Sequence, residues 1–159
     1  MGREVARERA AAWRAAGEKV VLATGVFDLL EAGDARYLAT ARTLGTRLIV
    51  AVYGDDAAAR LEGPGRPVVP AADRARLVAS LRAADLVVVF EEPTVDRLLE
   101  ELRPAVNARP AGHHSAPVRE HAAARALEIE VAIAGEPEGR ASRDLVERVR
   151  ERTRPGPDA

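Results

Sequence analysis

The chain has 159 residues, a formal net charge of −1 at pH 7 and no cysteine. This charge balance gives no electrostatic support for nucleic-acid binding, and the absence of thiols excludes disulfides, thiolate zinc sites and a cysteine nucleophile. No apolar stretch approaches the ~20 residues of a membrane span, so we expect a single cytoplasmic domain over residues 1–153 with no membrane partner, followed by a disordered tail over 154–159.

The first predicted element is an amphipathic helix over residues 3–16, rich in Ala, Arg and Glu. Its packed side is predicted to carry Val5 and Trp13. An apolar run over residues 20–23 then predicts a buried strand. A glycine-containing loop leads to a helix over 34–44, with Asp34 as a candidate N-cap. Strand, loop and helix N-terminus in this order can present backbone N–H groups to an anion.

Strands and helices alternate through the rest of the chain. Further strands are predicted over residues 47–53, 86–90, 105–107 and 128–133. Further helices are predicted over 55–61, 71–82, 93–102 and 118–126 and from Ser142 onward, with loops over 62–67 and 108–117. The candidate core positions in these helices are Leu77, Val78, Leu81, Leu98, Leu99 and Leu102.

This alternation predicts an α/β fold: a single doubly wound, Rossmann-like domain with a five-stranded parallel sheet flanked by helices. Ligands in such sheets bind beyond the carboxyl ends of the strands, where the strand order switches direction. We therefore expect the loops after the first, fourth and fifth strands to face one cleft.

The loop after the first strand reads G-V-F-D-L-L-E-A-G-D over residues 25–34. It resembles the G-x-F-D-x-x-H-x-G-H loop of the cytidylyltransferase-like nucleotidyltransferases. The matching positions are Gly25, Phe27, Asp28 and Gly33. Both histidines of the family loop are replaced, by Glu31 and Asp34.

Other segments extend the resemblance over residues 18–150. Residues 61–74 are similar to an adenylyltransferase segment that begins L-K-G-P-G-R-P, with Glu62 in place of the lysine. Residues 138–142 resemble the start of the family's G-R-S-T-[ST] helix, and residues 107–115 stand where adenylyltransferases carry a lysine-glycine-glycine-aspartate loop. The nearest look-alikes are heptose-1-phosphate adenylyltransferases and glycerol-3-phosphate cytidylyltransferases.

The resemblance implies transfer of a nucleotidyl group from ATP or CTP to a sugar phosphate or polyol phosphate, with Mg²⁺, by a homodimer. No residue is assigned as a metal ligand. The expected nucleotide cradle comprises Gly25, Val26, Phe27, Asp28, Gly139, Arg140 and Ser142. The expected substrate contacts are Tyr53, Asp55, Arg66, Asn107 and His114. The expected catalytic residues are Glu31, Asp34, Arg74 and His113.

Glu31 and Asp34 put hydrogen-bond acceptors where the family has donors. One like-charge pair at ~4 Å costs about 1 to 4 kcal/mol, and one lost transition-state donor costs about 3 kcal/mol more. Three features could offset this repulsion and the loss of donors. Mg²⁺ could bridge a carboxylate to phosphate, His113 or His114 could supply a donor, or the ligand could differ from a nucleoside triphosphate.

Three functions therefore stay open. The chain is a nucleotidyltransferase with a degenerate motif, a non-catalytic nucleotide- or metabolite-binding protein or partner subunit, or an enzyme with changed acid/base chemistry in the same cleft. Each candidate site residue could instead have no role in ligand binding or catalysis. Asp34 could only cap a helix, Glu31 could be a solvated loop residue, and Asp28 could only order its turn. His113 and His114 could be solvent-exposed. A functional alternative also stays open, in which Glu31, Asp34 and His113 together hold a metal ion.

Overall fold

The computed structural model describes residues 2–111, 118–135 and 142–153. In these residues the strands are β1 (Val20–Gly25), β2 (Arg47–Tyr53), β3 (Leu86–Phe90), β4 (Val106–Pro110) and β5 (Glu130–Ala134). The helices are α1 (Arg3–Ala15), α2 (Ala32–Thr43), α3 (Asp55–Glu62), α4 (Ala71–Ala79), α5 (Asp96–Leu102), α6 (Val118–Ala126) and α7 (Ser142–Thr153). Within the described residues, no helix is both long and apolar enough to cross a membrane.

The strands form one parallel sheet in the order β3-β2-β1-β4-β5. The chain moves outward from β1 through β2 to β3, then returns to the other side of β1 for β4 and β5, so the order switches direction between β1 and β4. The predicted fold class, a doubly wound five-stranded parallel sheet, is confirmed. Such a switch point is where open α/β sheets bind ligands.

Both faces of the sheet are buried, which is why the strands read as runs of Val, Leu, Ile and Ala. One face, which we call the α1/α5 face, packs Leu22 and Ile49 against α1, α3, α5 and α6. The opposite α2/α4 face packs Val21 and Val50 against α2 and α4. Alternate residues of each strand therefore belong to different cores.

The packed side of α1 differs from the prediction. Val5 is 42% exposed, whereas Ala6 and Ala10 are fully buried against the α1/α5 face, with Trp13 partly buried beside them. These three positions are spaced three or four residues apart and share one side of the helix. The small alanine side chains let α1 lie close to the sheet, so the prediction for Val5 is wrong and that for Trp13 is confirmed.

The packed side of α4 also differs from the prediction. Leu77 is 46% exposed, while Val78 is fully buried and Leu81, just beyond the helix, is partly buried. The inward position one turn before Val78 is taken by Arg74, which is fully buried as well. Charged residues at helical spacing are normally assigned to the solvent side, so the sequence pattern pointed to Leu77 in error.

Several boundaries shift by a few residues. β1 and β4 extend two and three residues further toward the carboxyl edge of the sheet than predicted. α2 begins two residues earlier than predicted, and α5 begins three residues later. The predicted loop over residues 108–117 thus starts as strand, which places the last residues of β4 beside β1 at the switch point. The predicted tail over 154–159 lies outside the described residues.

Candidate functional site

Glu31 and Asp34 both lie at the N-terminus of α2. Glu31 is the N-cap, and its backbone N–H donates to Asp34 Oδ2 at 2.9 Å. The Glu31 carboxylate in turn accepts the backbone N–H of Asp34, which completes a capping box. Asp34 is therefore the third residue of the helix, and its predicted role as N-cap is wrong because Glu31 fills that position.

The capping box determines the electrostatics of this helix end. Glu31 and Asp34 are both half-buried, so neither is a fully solvated loop residue. The unpaired N–H groups and the dipole of a helix N-terminus attract anions. Here two carboxylates of the chain already lie at that end, and a phosphate group approaching the same N–H groups would have to compete with them.

Asp28 joins the β1–α2 loop to the loop that precedes α4. Its carboxylate, 3% exposed, accepts the backbone N–H of Val68 at 2.8 Å and that of Val69 at 2.9 Å. Arg66 Nε lies 3.0 Å from Asp28 Oδ2 and forms an ion pair with it. The predicted ordering of the local turn by Asp28 is wrong, because these hydrogen bonds reach residues about 40 positions further along the chain.

Arg74 links four segments around the same loop. Its Nε donates to the Val69 carbonyl at 2.8 Å, and its Nη1 donates to the carbonyls of Val26 and Tyr53, the latter at 2.8 Å. Its Nη2 forms an ion pair with Asp55 Oδ1 at 2.8 Å. The structure thus brings together six residues that the sequence singled out: Val26, Asp28, Tyr53, Asp55, Arg66 and Arg74. In this conformation the Arg74 guanidinium bonds to four acceptors of the protein.

Two aromatic rings close the α2/α4 side of the switch point. Phe27 has φ +54° and its ring lies against Gly25, where an added Cβ would be 2.7 Å from Phe27 Cζ. The Phe27 and Tyr37 rings stack at 6.5 Å. Tyr37 Oη donates to the Ala108 carbonyl at 2.9 Å, which bridges α2 to β4. Burial raises the pKa of Tyr37 well above its ordinary value of 10.

Tyr53, Asn107 and Arg109 lie at or near the carboxyl ends of β2 and β4. The Tyr53 ring packs on Phe90 at 4.3 Å, and burial raises the pKa of its phenol. Asn107 is 1% exposed, and its Oδ1 has no hydrogen-bond partner among the described residues. Arg109 is half-buried, and burial lowers the pKa of its guanidinium.

Sequence reasoning missed Tyr37 and Arg109. The only signal for Arg109 was its spacing of two residues from Asn107, which places both side chains on one face of a strand. The signal for Tyr37 was equally indirect, because nothing in the helical pattern of α2 indicates that its hydroxyl reaches β4. His113, His114, Gly139 and Arg140 lie outside the described residues, and Ser142 is the first residue of α7.

The described residues do not form a dedicated metal site. Over 2–111, 118–135 and 142–153, no three His, Cys, Asp or Glu side chains come together in a way that could hold an ion. Asp28 and Asp55 are paired with arginines, and Glu31 and Asp34 bond to each other's backbone. This part of the chain therefore offers no preformed cage for the Mg²⁺ that the resemblance implies.

Comparisons with known proteins identify the family of this chain. Residues 22–148 match the sequence model of the Cytidylyltransferase-like family. The chain is 42% identical over 144 residues to the bifunctional protein HldE of Magnetococcus marinus, covering 91% of this chain and 30% of that protein. It is 41% identical over 139 residues to the bifunctional protein HldE of Aeromonas hydrophila, covering 87% of this chain and 29% of that protein. The chain thus spans less than a third of the length of these relatives.

A solved structure shares the fold. The lipopolysaccharide core biosynthesis protein from Thermoplasma volcanium superposes with a TM-score of 0.66 at 24% identity, covering 77% of this chain and 100% of that chain. The family match extends from β1 into α7 and includes the loop that carries Glu31 and Asp34. The resemblance inferred from the sequence is confirmed, and the chain belongs to the Cytidylyltransferase-like family.

Proposed function

We propose that this chain binds a nucleotide or a small phosphorylated metabolite at the carboxyl edge of its sheet and does not carry out nucleotidyl transfer. The observation that carries this proposal is the capping box between Glu31 and Asp34, with the 2.9 Å bond from Glu31 N to Asp34 Oδ2. Both positions stand where the family loop has histidines.

Transfer of a nucleotidyl group depends on positioning and on donors that stabilise charge on the phosphates. Ionised Glu31 and Asp34 side chains donate nothing, and a triphosphate beside them meets repulsion of about 1 to 4 kcal/mol for each pair at ~4 Å. The missing donors cost about 3 kcal/mol each in the transition state. These terms together would lower the rate by several orders of magnitude.

The same contacts argue against new acid/base chemistry by these two residues. A general base must lie within hydrogen-bond reach of the proton that it removes from the substrate. Glu31 and Asp34 instead accept backbone N–H groups and stabilise the first turn of α2. Both carboxylates stabilise the N-terminus of α2, and a substrate would have to break these hydrogen bonds before either carboxylate could take its proton.

Retention of a binding site is supported by the loops around the cleft. The buried Asp28–Arg66 ion pair, with the hydrogen bonds of Arg74 to the Val26 and Val69 carbonyls, holds the β1–α2 loop against the loop before α4. Such a network fixes the shape of the cleft independently of catalysis. ATP or CTP with Mg²⁺, a sugar phosphate or polyol phosphate, and a homodimer stay predictions from the resemblance.

The test is calorimetric titration of the chain with ATP, CTP and a panel of sugar and polyol phosphates, with and without Mg²⁺, alongside an assay for pyrophosphate release. We expect at least one nucleotide or phosphorylated metabolite to bind and no pyrophosphate to be released with any pair. Sustained pyrophosphate release would contradict the loss of transfer. Failure of every compound to bind would contradict the retained binding site.

A further inference from the structure

The strands β1 and β4 separate before either of them ends. Their pairing stops where Ala23 is level with Ala108, although each strand continues for two more residues. The other strand pairs stay together to the end of a strand: β1–β2 to Gly25, β2–β3 to Tyr53 and β4–β5 to Pro110. The sheet therefore divides at the switch point, and the space between the last two residues of β1 and those of β4 is a crevice at its carboxyl edge, which we call the β1/β4 crevice.

The Tyr37 hydroxyl bonds to both strands at the point where they separate. It donates to the Ala108 carbonyl at 2.9 Å and accepts the Thr24 backbone N–H at 3.3 Å. Beyond this point Pro110 has no N–H with which β4 could continue the ladder. The phenol therefore joins β1 to β4 at the foot of the β1/β4 crevice.

The neighbours of Tyr37 keep its ring in this position. The Phe27 ring stacks on it at 6.5 Å, and the backbone after β5 passes so close that a Cβ added to Gly135 would lie 3.4 Å from Tyr37 Cα. Ala23 and Ala108 belong to the same core as Tyr37, and their small side chains leave room for the ring above the strands. Tyr37 is 5% exposed, so the phenol is held by the protein and not by water.

The same phenol fixes the start of α2 relative to the sheet. Asp34 and Tyr37 are three residues apart and therefore lie one above the other on the helix. Asp34 belongs to the capping box at the helix N-terminus, and Tyr37 ties the next turn to both strands. A change in the separation of β1 and β4 would therefore have to move this helix end or break the hydrogen bonds of Tyr37.

We propose that Tyr37 is a positioning residue for the ligand site, whose hydroxyl fixes the separation of β1 and β4 and so the shape of the β1/β4 crevice that receives the ligand. This rests on the proposed function, since it names a residue that shapes the same cleft. Tyr37 acts through the two strands and does not itself contact the ligand. A purely stabilising tyrosine would affect the unfolding equilibrium and leave the affinity of the folded chain unchanged.

The first measurement is amide hydrogen exchange by NMR on the full chain, for the wild type and for Tyr37→Phe. Phenylalanine keeps the ring but removes the hydroxyl that Thr24 and Ala108 share. We expect exchange at the Thr24 N–H to become about threefold faster or more, because the end of the β1–β4 ladder is no longer held. Thr46→Val is the matched control, since it removes a hydroxyl that accepts the Lys19 N–H at the opposite edge of the sheet. It should leave exchange at Thr24 unchanged.

The second measurement is calorimetric titration with ATP, CTP, AMP, CMP and glucose 1-phosphate, at a temperature where the unfolding curves show every variant to be folded. We expect Tyr37→Phe to bind each probe that the wild-type chain binds about threefold more weakly or worse. Thr46→Val should keep the wild-type affinity despite its lost hydrogen bond. Replacement of both tyrosines by 3-fluorotyrosine keeps the hydroxyls and should retain the affinity. Its ¹⁹F signal for Tyr37, identified by its absence in Tyr37→Phe, should shift when a probe binds.

Unchanged exchange at Thr24 in Tyr37→Phe would overturn the proposal, and so would unchanged affinity of this variant for a probe that the wild-type chain binds. Failure of every probe to bind the wild-type chain would count against the proposed function instead. Faster exchange at Thr24 in Tyr37→Phe would in that case still support the role of the hydroxyl in holding β1 and β4.

Discussion

Glu31 and Asp34 form reciprocal side-chain to backbone hydrogen bonds at the first turn of α2. The Glu31 N–H donates to Asp34 Oδ2 at 2.9 Å, and the Glu31 carboxylate accepts the Asp34 N–H. In the family loop that residues 25–34 resemble, histidines stand at these two positions. The two carboxylates supply the helix end with internal anions beside its exposed N–H groups.

The capping box should contribute measurably to stability. We expect Glu31→Ala and Asp34→Ala each to lower the free energy of unfolding by about 1 kcal/mol, because each removes a side-chain partner of a backbone N–H. Urea unfolding followed by circular dichroism measures the change. Glu100→Ala, at an exposed position of α5, is the control and should stay within about 0.5 kcal/mol of the wild-type chain. Equal effects at all three positions would argue against the capping role.

Arg74 should behave as a structural residue. Lysine keeps the charge but cannot reach four acceptors with one ammonium group, so we expect Arg74→Lys to lower the free energy of unfolding by about 3 kcal/mol. Arg76→Lys, whose side chain is 79% exposed, is the matched control and should change it by less than about 0.5 kcal/mol. Unchanged stability of Arg74→Lys with a loss of ligand affinity would instead support the ligand role predicted from the sequence.

The two tyrosines of the chain should make it sensitive to alkali. Burial raises the folded-state pKa of Tyr37 and Tyr53 above the ordinary value of 10. The unfolded chain therefore loses these protons first, so this stability is complete below about pH 10 and is lost as the pH rises toward the folded-state values. Tyrosinate absorbance, followed with circular dichroism, should show ionisation and unfolding together.

Tyr37→Phe separates the contributions of the two phenols. It removes the hydrogen bond to the Ala108 carbonyl and should cost about 1 kcal/mol at neutral pH. It should also make the alkaline loss of stability less steep, because one of the two titrating groups is gone. Ionisation of both phenols near pH 10 in a chain that stays folded would show that neither hydroxyl is held away from water.

The fold could be predicted from the sequence because its signals are local and repeated. Each strand is a short aliphatic run, each helix has its own spacing, and their alternation leaves few topologies for a parallel sheet. The errors in the core came from side chains whose partners are distant in sequence. Arg74 points inward because four acceptors from other segments surround it, and no helical pattern contains that information.

Part of the site could be predicted because the motif after β1 is a local signal. The roles of Glu31 and Asp34 could not, because they depend on the residue at which α2 begins. A shift of the N-cap by three residues, from Asp34 to Glu31, turned Asp34 into the partner of Glu31. Asp28 illustrates the other limit, since its hydrogen bonds to Val68 and Val69 cross about 40 residues of chain. Such contacts depend on the packing of whole loops.

The proposed loss of transfer depends on the carboxylates at the N-terminus of α2 repelling a triphosphate in the cleft. The most direct measurement is the dissociation constant of ATP for the wild-type chain and for the double variant Glu31→His with Asp34→His, at one ionic strength. Glu31→Gln with Asp34→Asn is the control that removes the charge without supplying imidazole donors. We predict binding at least about tenfold tighter in the histidine variant, which corresponds to ~1.4 kcal/mol or more, and a smaller gain in the control. Equal ATP affinity in the wild-type chain and both variants would contradict the claim.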